Sequence, residues 1–266
     1  MAATSPHWRR EELLVAFNVY CQTPFGKLHS RNPDIVRVAA FLGRTPSSLA
    51  MKLVNFASLD PAVTSTGRKG LGNASRADRA IWDEFNADWE ALAVESEMHL
   101  KDMVTKSGSA VLTSQSDEGD FDEANYVGAT KAVQIQARIK QSFFRRAVLS
   151  SYKQRCCITN ISEPRLLVAS HIVPWKSDAK NRLNPRNGLC LSALHDKAFD
   201  RGLITLTDEF RVEVSPALYA FETEPFIRDT LLAIRGNQIS LPEKFAPDVS
   251  FLKRHREEVF VRRGKG

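Results

Sequence analysis

One segment limits how this chain can fold, because it cannot contribute to a continuous core. Residues 106–130 read KSGSAVLTSQSDEGDFDEANYVGAT, a run rich in serine, glycine and acidic residues that lacks apolar periodicity. This composition is typical of a solvated linker. We therefore expect two domains, one at 1–105 and one at 131–266, with 106–130 as the linker between them.

The charge of the chain is basic and unevenly distributed. The 266 residues carry a net charge of +6, while acidic residues concentrate between Glu95 and Glu123. The parts on either side of that stretch are therefore more basic than the average. A basic surface of this kind favours a nucleic-acid partner.

Hydropathy and cysteine content indicate where such a chain works. The mean hydropathy is -0.28, and no run of about 18 apolar residues occurs, so we expect no membrane span. The first residues, MAATSPHWRR, lack the apolar stretch of a secretory leader. Because four cysteines without a leader fit a reducing compartment, we expect a cytoplasmic protein without disulfides.

Helical periodicity dominates the first part of the chain. Apolar residues recur at three- and four-residue steps in 11–21 and 33–42, and Gly43 then ends the second helix. Thr45 can cap a third helix that has Pro46 at its first position. The first part is therefore predicted to be all helical.

The third helix allows two interpretations. In a helix-turn-helix, its outward residues would contact DNA, and these are Ser47, Ser48, Lys52 and Asn55. In a plain three-helix bundle, the same residues would form a polar outer face. The sequence leaves both interpretations open.

A further helix over 76–99 is expected to pack onto the bundle through its aromatic residues.

The second part mixes helix and strand, which makes the chain α+β. A long first helix carries Arg145 and Arg146 on its largely outward face. The predicted elements are a helix at 132–152, a strand at 166–173, a helix near 189–200 that opens at Asn187-Gly188, and a hairpin from 203–206 and 211–214.

The residues that carry chemistry lie in two short runs, ASHIVPW at 169–175 and NPRNGLCLSALHDKAFDRG at 184–202. Hydrolysis of a phosphodiester needs a group that takes a proton from water near neutral pH, and an unperturbed imidazole with a pKa of about 6.5 suits this role. His171 is the candidate. Carboxylates four residues apart share a helix face, so Asp196 and Asp200 can chelate one hard cation such as Mg²⁺.

These two runs resemble the HNH nuclease family, which has the ββα-metal fold. The resemblance covers roughly 143–216 and is to the branch of bacterial restriction endonucleases with the pattern S/A-H-I-x-P-W, N-G-L and H-D-x-x-F-D. It implies that His171 is the general base and that Asn187 braces the loop that orients it. It also implies a metal ligand on the following helix.

The identity of that helical ligand stays open between two neighbours. The nine-residue spacing from the asparagine selects Asp196, whereas the residue type usual in the family selects His195. We favour Asp196 together with Asp200, because they share a face, while His195 shares its face with the apolar Phe199. His195 would then contact phosphate or support the site.

Two departures from the family pattern bear on the metal. Ser170 stands where many members have an aspartate or histidine ligand before the base, so Mg²⁺ or Mn²⁺ is expected rather than tightly held Zn²⁺. The CxxC pairs of a structural zinc site are absent. Cys156, Cys157 and Cys190 are instead expected to be small buried residues.

The sequence thus predicts a metal-dependent endonuclease for double-stranded DNA, with a role in restriction or phage defence. The expected DNA contacts are Lys52, Asn55, Arg145, Arg146 and Lys197. A homodimer would let two such sites cut both strands. The alternatives are a DNA-binding regulatory protein with a non-catalytic HNH domain, and a homing or toxin nuclease.

Overall fold

A computed structural model describes residues 7–67, 72–106 and 131–262, with side chains from residue 136 onward in the last range. Apart from Lys106, the linker predicted at 106–130 lies outside the described residues. The helices are α1 Arg10–Gln22, α2 Pro33–Phe41, α3 Pro46–Ala57, α4 Pro61–Thr64, α5 Arg76–Ala87, α6 Trp89–Lys106, α7 Lys131–Ser151, α8 Ala193–Asp200, α9 Pro225–Ile227 and α10 Val249–Glu258. The strands are β1 Leu167–His171, β2 Gly188–Ser192, β3 Ile204–Leu206 and β4 Val212–Val214.

The three helices predicted near the N-terminus are confirmed as α1, α2 and α3. The Thr45 side chain accepts a hydrogen bond from the Ser48 amide at 3.2 Å, with Pro46 at the first helical position. Gly43 lies between α2 and α3 with a φ of 62°, a conformation that glycine adopts without the strain a Cβ would add. The N-terminal part is therefore helical, as its periodicity indicates.

Helix α1 runs through the centre of this helical part. Phe17 is fully buried, and its ring centroid lies 5.0 Å from that of Phe56 and 4.3 Å from that of Phe85. The single helix expected over 76–99 is wrong, because Asp88 has extended backbone (φ -154°, ψ 90°) that separates α5 from α6. Phe85 on α5 and Trp89 on α6 both contact Phe17.

The second part contains a ββα unit. Strands β1 and β2 pair antiparallel, with Leu167 opposite Ser192 and His171 opposite Gly188, and α8 follows β2 directly. The helix expected near 189–200 is therefore wrong in its first half, where the chain is a strand. All five residues of β2 are buried. A short apolar run of this kind has no periodicity that distinguishes a buried strand from a buried helix.

The predicted hairpin is confirmed as β3 and β4, which pair antiparallel with Ile204 opposite Val214. Gly202 precedes it with a φ of 66°, and a Cβ there would lie 2.1 Å from the Val259 carbonyl oxygen. Only glycine therefore lets the residues after α10 lie against the end of α8, and the Val261 amide donates to the Gly202 carbonyl at 3.0 Å.

A buried lysine joins the end of α1 to the C-terminal part of the chain. Lys244 Nζ donates to the carbonyl oxygens of Tyr20, Cys21 (3.1 Å) and Thr23 (2.7 Å). Burial lowers the pKa of Lys244 to about 8. The described residues on both sides of 106–130 thus pack against each other, and the division into domains stays a prediction.

The next residue extends this contact into the aromatic core. Phe245 packs edge-on against Tyr20, with ring centroids 5.5 Å apart, and its amide donates to Asp60 Oδ2 at 2.9 Å. The Tyr20 hydroxyl donates to the same carboxylate oxygen at 3.2 Å.

Within the described ranges, we find no helix that is both long and apolar enough to cross a membrane.

Acid should destabilise this fold through His255, which is 2% exposed. Its ring stacks on Phe199 at 3.8 Å, and burial lowers its pKa from 6.5 to about 4. Between these pKa values the unfolded chain binds a proton that the folded chain does not, so the free energy of unfolding falls as pH falls from 6.5 to 4, by on the order of 3 kcal/mol.

Urea denaturation at a series of pH values measures this effect. The variant His255→Gln should lose clearly less stability than the wild type across that window, because it lacks the titrating ring. The exposed control His29→Gln should follow the wild type. Parallel curves for wild type and His255→Gln would show that His255 does not titrate between these pH values.

Candidate active site

A cleft of about 760 Å³ opens where α7, β1, α8 and the loop between β1 and β2 meet. It brings together His171, Asp196 and Asp200, which the sequence motif predicts as site residues. Its positive charge comes from Arg145, Lys176, Arg182, Lys197 and Arg201. Two carboxylates within a ring of cations suit a polyanionic substrate whose cleavage also needs a metal ion.

His171 ends β1 and is held on two sides by aromatic rings. Its ring stacks on Phe144 with centroids 3.8 Å apart and meets Trp175 edge-on at 5.4 Å. Its Nε2 lies 2.9 Å from the Arg182 carbonyl oxygen. Because a carbonyl only accepts, Nε2 carries the hydrogen and Nδ1 keeps its lone pair. Burial lowers the pKa of His171 to about 4, below the unperturbed value of about 6.5 expected from the sequence. The ring is therefore neutral at pH 7 and a weaker base than a free imidazole.

The buried side chain of Asn187 bonds to the backbone of the loop between β1 and β2. Its side chain is 1% exposed, and Oδ1 accepts a hydrogen bond from the Val173 amide at 2.8 Å. Its Nδ2 donates to the Val173 carbonyl at 3.2 Å and to the Asn181 carbonyl at 3.3 Å. These contacts are the geometry that a loop-bracing asparagine requires. Its effect on His171 is a proposal that they support.

Asp196 and Asp200 lie one turn apart on α8 and both line the cleft. Desolvation raises the pKa of Asp200, and the positive charges of Lys197 and Arg201 oppose that rise. A carboxylate that is partly desolvated gains from a nearby divalent cation. The pair is therefore the most suitable metal-binding element on the helix.

His195 is placed differently from the sequence expectation. It is 3% exposed, with Nδ1 2.8 Å from Ser192 Oγ and Nε2 3.3 Å from the Thr230 carbonyl oxygen. It does not line the cleft. Because both ring nitrogens have partners in the core, this position does not favour a metal or phosphate contact, and the role of His195 stays a prediction. The shared face with buried Phe199 is the signal that indicates this position.

Two further side-chain oxygen atoms line this cleft, one at the motif position Ser170 and one at Gln141, which lies outside the motif. Ser170 Oγ and Gln141 Oε1 are buried without a hydrogen-bond partner among the described residues, and both residues line the cleft. An unpartnered buried oxygen is costly unless a ligand or water satisfies it. No spacing rule would have found Gln141, since it comes from α7.

Apart from His171, the side chains of the cleft that could bind a metal ion would do so through oxygen atoms. Among the residues that the structure describes, no group of three or more His, Cys, Asp or Glu could by itself hold a metal ion. The side chains with oxygen atoms that line the cleft are those of Asp196, Asp200, Ser170 and Gln141. Such a set fits a hard cation that keeps several waters, as Mg²⁺ does.

Lys52 is buried and Asn55 is half-buried, although both are expected on the outward face of a recognition helix. Lys52 is 9% exposed, and its Nζ lies 2.8 Å from Asp78 Oδ1. Asn55 Nδ2 donates to Asp78 Oδ2 at 3.4 Å. The expected outward orientation is therefore wrong for Lys52. Asp78 is fully buried at the start of α5, and its charge requires these partners.

The three remaining basic candidates occupy different places. Arg145 lines the cleft and donates to the Leu167 carbonyl at 2.8 Å, and Lys197 is exposed at the same cleft. Arg146 instead points to the N-terminal helices, where it contacts Gln22 and lies 3.0 Å from Glu97. Because its charge is paired in that contact, the position of Arg146 does not favour DNA binding, which stays a prediction for this residue.

Comparison with known proteins identifies the same region. Residues 156–207 match the model of the HNH endonuclease family. A search of curated proteins finds no match. The matched range contains His171, Asn187, Asp196 and Asp200. It supports assignment of this region to the HNH endonucleases, hence a nuclease activity in general terms, and nucleases of this family generally use a divalent metal.

The loop brace can be tested by stability alone. Asn187→Ala removes three buried hydrogen bonds and leaves backbone groups unpaired, so the free energy of unfolding should fall by about 2–4 kcal/mol. The control Asn86→Ala, on an exposed face of α5, should change it by less than about 1 kcal/mol. Urea denaturation measures both, and equal losses would refute a bracing role.

Proposed function

We propose that this protein is a divalent-metal-dependent endonuclease that hydrolyses phosphodiester bonds of double-stranded DNA, with His171 as the general base. One observation carries the proposal. A neutral imidazole, fixed through Nε2 to the Arg182 carbonyl, lines the same cleft as the carboxylates of Asp196 and Asp200. The base and the metal-binding groups of a hydrolase are thereby combined in one cleft.

The fixed tautomer explains how His171 would act. With its hydrogen on Nε2, the ring offers only Nδ1 to accept a proton from the attacking water. The stacked Phe144 ring limits the ring's freedom, so no reorientation is needed before proton transfer. Asn187 acts indirectly in this proposal, by holding the loop that supplies the Arg182 carbonyl.

The donor atoms of the cleft fit a hard divalent cation. Asp196 and Asp200 would hold it, and Ser170 Oγ and Gln141 Oε1 are oxygen atoms without hydrogen-bond partners among the described residues. When bound, such a cation draws negative charge from the phosphate and stabilises the leaving oxygen. Mg²⁺ or Mn²⁺ is the cofactor that we propose, because the wall offers no thiolate and the imidazole is committed as the base.

The cations around the cleft would bind the DNA backbone. Lys176, Lys197 and Arg201 are exposed, and Arg145 lies at the wall. Contacts of this kind position a duplex without reading its sequence. The proposed DNA surface is therefore the rim of the cleft.

The biological setting that we propose is restriction or phage defence in a reducing cytoplasm, which suits four cysteines that are all free and buried. Two copies would cut both strands if each site cuts one. The alternative of a DNA-binding protein with an inactive nuclease domain depended partly on Lys52 and Asn55. It is weakened because both contact Asp78 instead.

His171→Ala should abolish cleavage while leaving DNA affinity nearly intact. Loss of a general base lowers the rate by about 10²–10⁴-fold. The test incubates methylated and unmethylated plasmid with Mg²⁺, Mn²⁺ or EDTA. The wild type should cut only with metal, and the control His99→Ala, at α6, should cut as the wild type does. Undiminished cutting by His171→Ala would exclude it as the base.

A second experiment identifies the metal ligands. Asp196→Asn and Asp200→Asn should each weaken Mn²⁺ binding about 10-fold or more, since each removes a charged oxygen from the site. His195→Ala should leave Mn²⁺ affinity nearly unchanged, because its ring nitrogens face the core. Isothermal calorimetry measures each affinity. Loss of binding in His195→Ala with retention in Asp196→Asn would assign the ligand to the histidine.

A further inference from the structure

Glu90 reaches the cleft region from the helical N-terminal part. It lies in the first turn of α6, and its side chain is 20% exposed. Glu90 Oε1 is 2.6 Å from Lys140 Nζ on α7. Glu90 Oε2 is 3.5 Å from Arg182 Nη1 in the loop between β1 and β2, an ion-pair distance, and it has no hydrogen-bond partner among the described residues. A single acid therefore links α6 and α7 to that loop.

Arg182 contacts both Glu90 and His171. Its Nε donates to the Trp175 carbonyl at 2.7 Å, and its guanidinium lies 5.6 Å from the centroid of the Trp175 ring. Its own carbonyl oxygen accepts the His171 Nε2 hydrogen at 2.9 Å. The side chain and backbone of one residue thus connect Glu90 to His171.

We infer that Glu90 is a positioning residue for the base: by pairing with Arg182 it fixes the carbonyl oxygen that holds His171 in its Nε2–H form. The inference rests on the proposed function of His171. Since the pair is partly buried, it is screened less than a surface ion pair. Without the Glu90–Arg182 pair, the loop keeps the hydrogen bonds of Asn187 to Val173 and Asn181. It loses the contact that holds Arg182 from the N-terminal helices.

This role makes the helical N-terminal part a component of the active site. Glu90 lies next to Trp89, whose buried ring packs against Phe17 and Phe85 in the helical core. The position of the carboxylate is therefore set by that core and not by the matched HNH region. Full activity should require the N-terminal helices even if they make no contact with DNA.

The direct test is the tautomer of His171, read from ring ¹⁵N chemical shifts without metal or DNA. In the wild type, Nε2 should carry the hydrogen. In Glu90→Gln, the Nδ1–H form should become measurably populated, because the carbonyl that selects Nε2–H is less fixed. His195 and His255, whose nitrogens are bonded elsewhere, serve as internal references.

Kinetics provide a second readout. Glu90→Gln should lower kcat roughly 10- to 100-fold with little change in KM, the size expected when a reacting group is slightly misplaced. Glu90→Asp keeps the charge and should recover part of the loss. The matched control is Asp102→Asn, an exposed acid on the same helix, which should leave both the tautomer and kcat unchanged.

The single variant Arg182→Gln covers the case in which Glu90→Gln folds poorly, because it should shift the His171 tautomer in the same direction without changing Glu90. Where both variants fold, a double-mutant cycle adds a further test. Arg182→Gln breaks the same ion pair from the other side, so adding Glu90→Gln to it should change kcat by less than about twofold. Losses in kcat that multiply in the double variant would overturn the inference. A Glu90→Gln variant with the same kcat and the same His171 tautomer as Asp102→Asn would also overturn it. A wild type that cuts no DNA with any metal would refute the proposed function instead, while the ¹⁵N shifts would still decide the role of Glu90.

Discussion

Three hydrogen bonds from one buried amide hold the loop between β1 and β2, and the geometry of the cleft depends on them. Asn187 fixes Val173 at the start of that loop and Asn181 near its end. Arg182 follows directly, and its carbonyl accepts the His171 hydrogen. We propose on these contacts that a brace in the core determines which nitrogen of His171 can take a proton.

The helical part and the ββα part share this dependence on buried polar contacts. Lys244 donates to carbonyl groups at and just after the end of α1, and Phe245 packs in the aromatic core beside it. Glu90, on α6 of the helical part, forms an ion pair with Arg182 of the ββα part. Buried charges of this kind persist only when paired, so each contact fixes one part of the chain relative to the other.

The sequence predicted those features that depend on short spacings. His171, Asn187, Asp196 and Asp200 all belong to one compact motif, and the i, i+4 rule was enough to place both carboxylates on one face. The N-terminal helices were equally accessible, because caps and periodicity are local signals. The strand β2 was missed since its five residues are uniformly buried.

Features that depend on residues far apart in sequence could not be predicted. Lys52 faces inward because Asp78 needs a partner, and Arg146 because Glu97 and Gln22 lie opposite it. Both looked like surface cations when only their own helices were considered. For the same reason Gln141 and Glu90 escaped notice: neither belongs to the motif whose site it adjoins.

The central claim is that a divalent cation binds in the cleft beside His171, on oxygen atoms alone. The most direct measurement is the anomalous scattering of Mn²⁺ in crystals of the full chain. A peak within coordination distance of the Asp196 and Asp200 carboxylates, on the side of the cleft that Ser170 lines, is the result that this account predicts. A peak at His195, or an ordered Mn²⁺ elsewhere with none in the cleft, would contradict it.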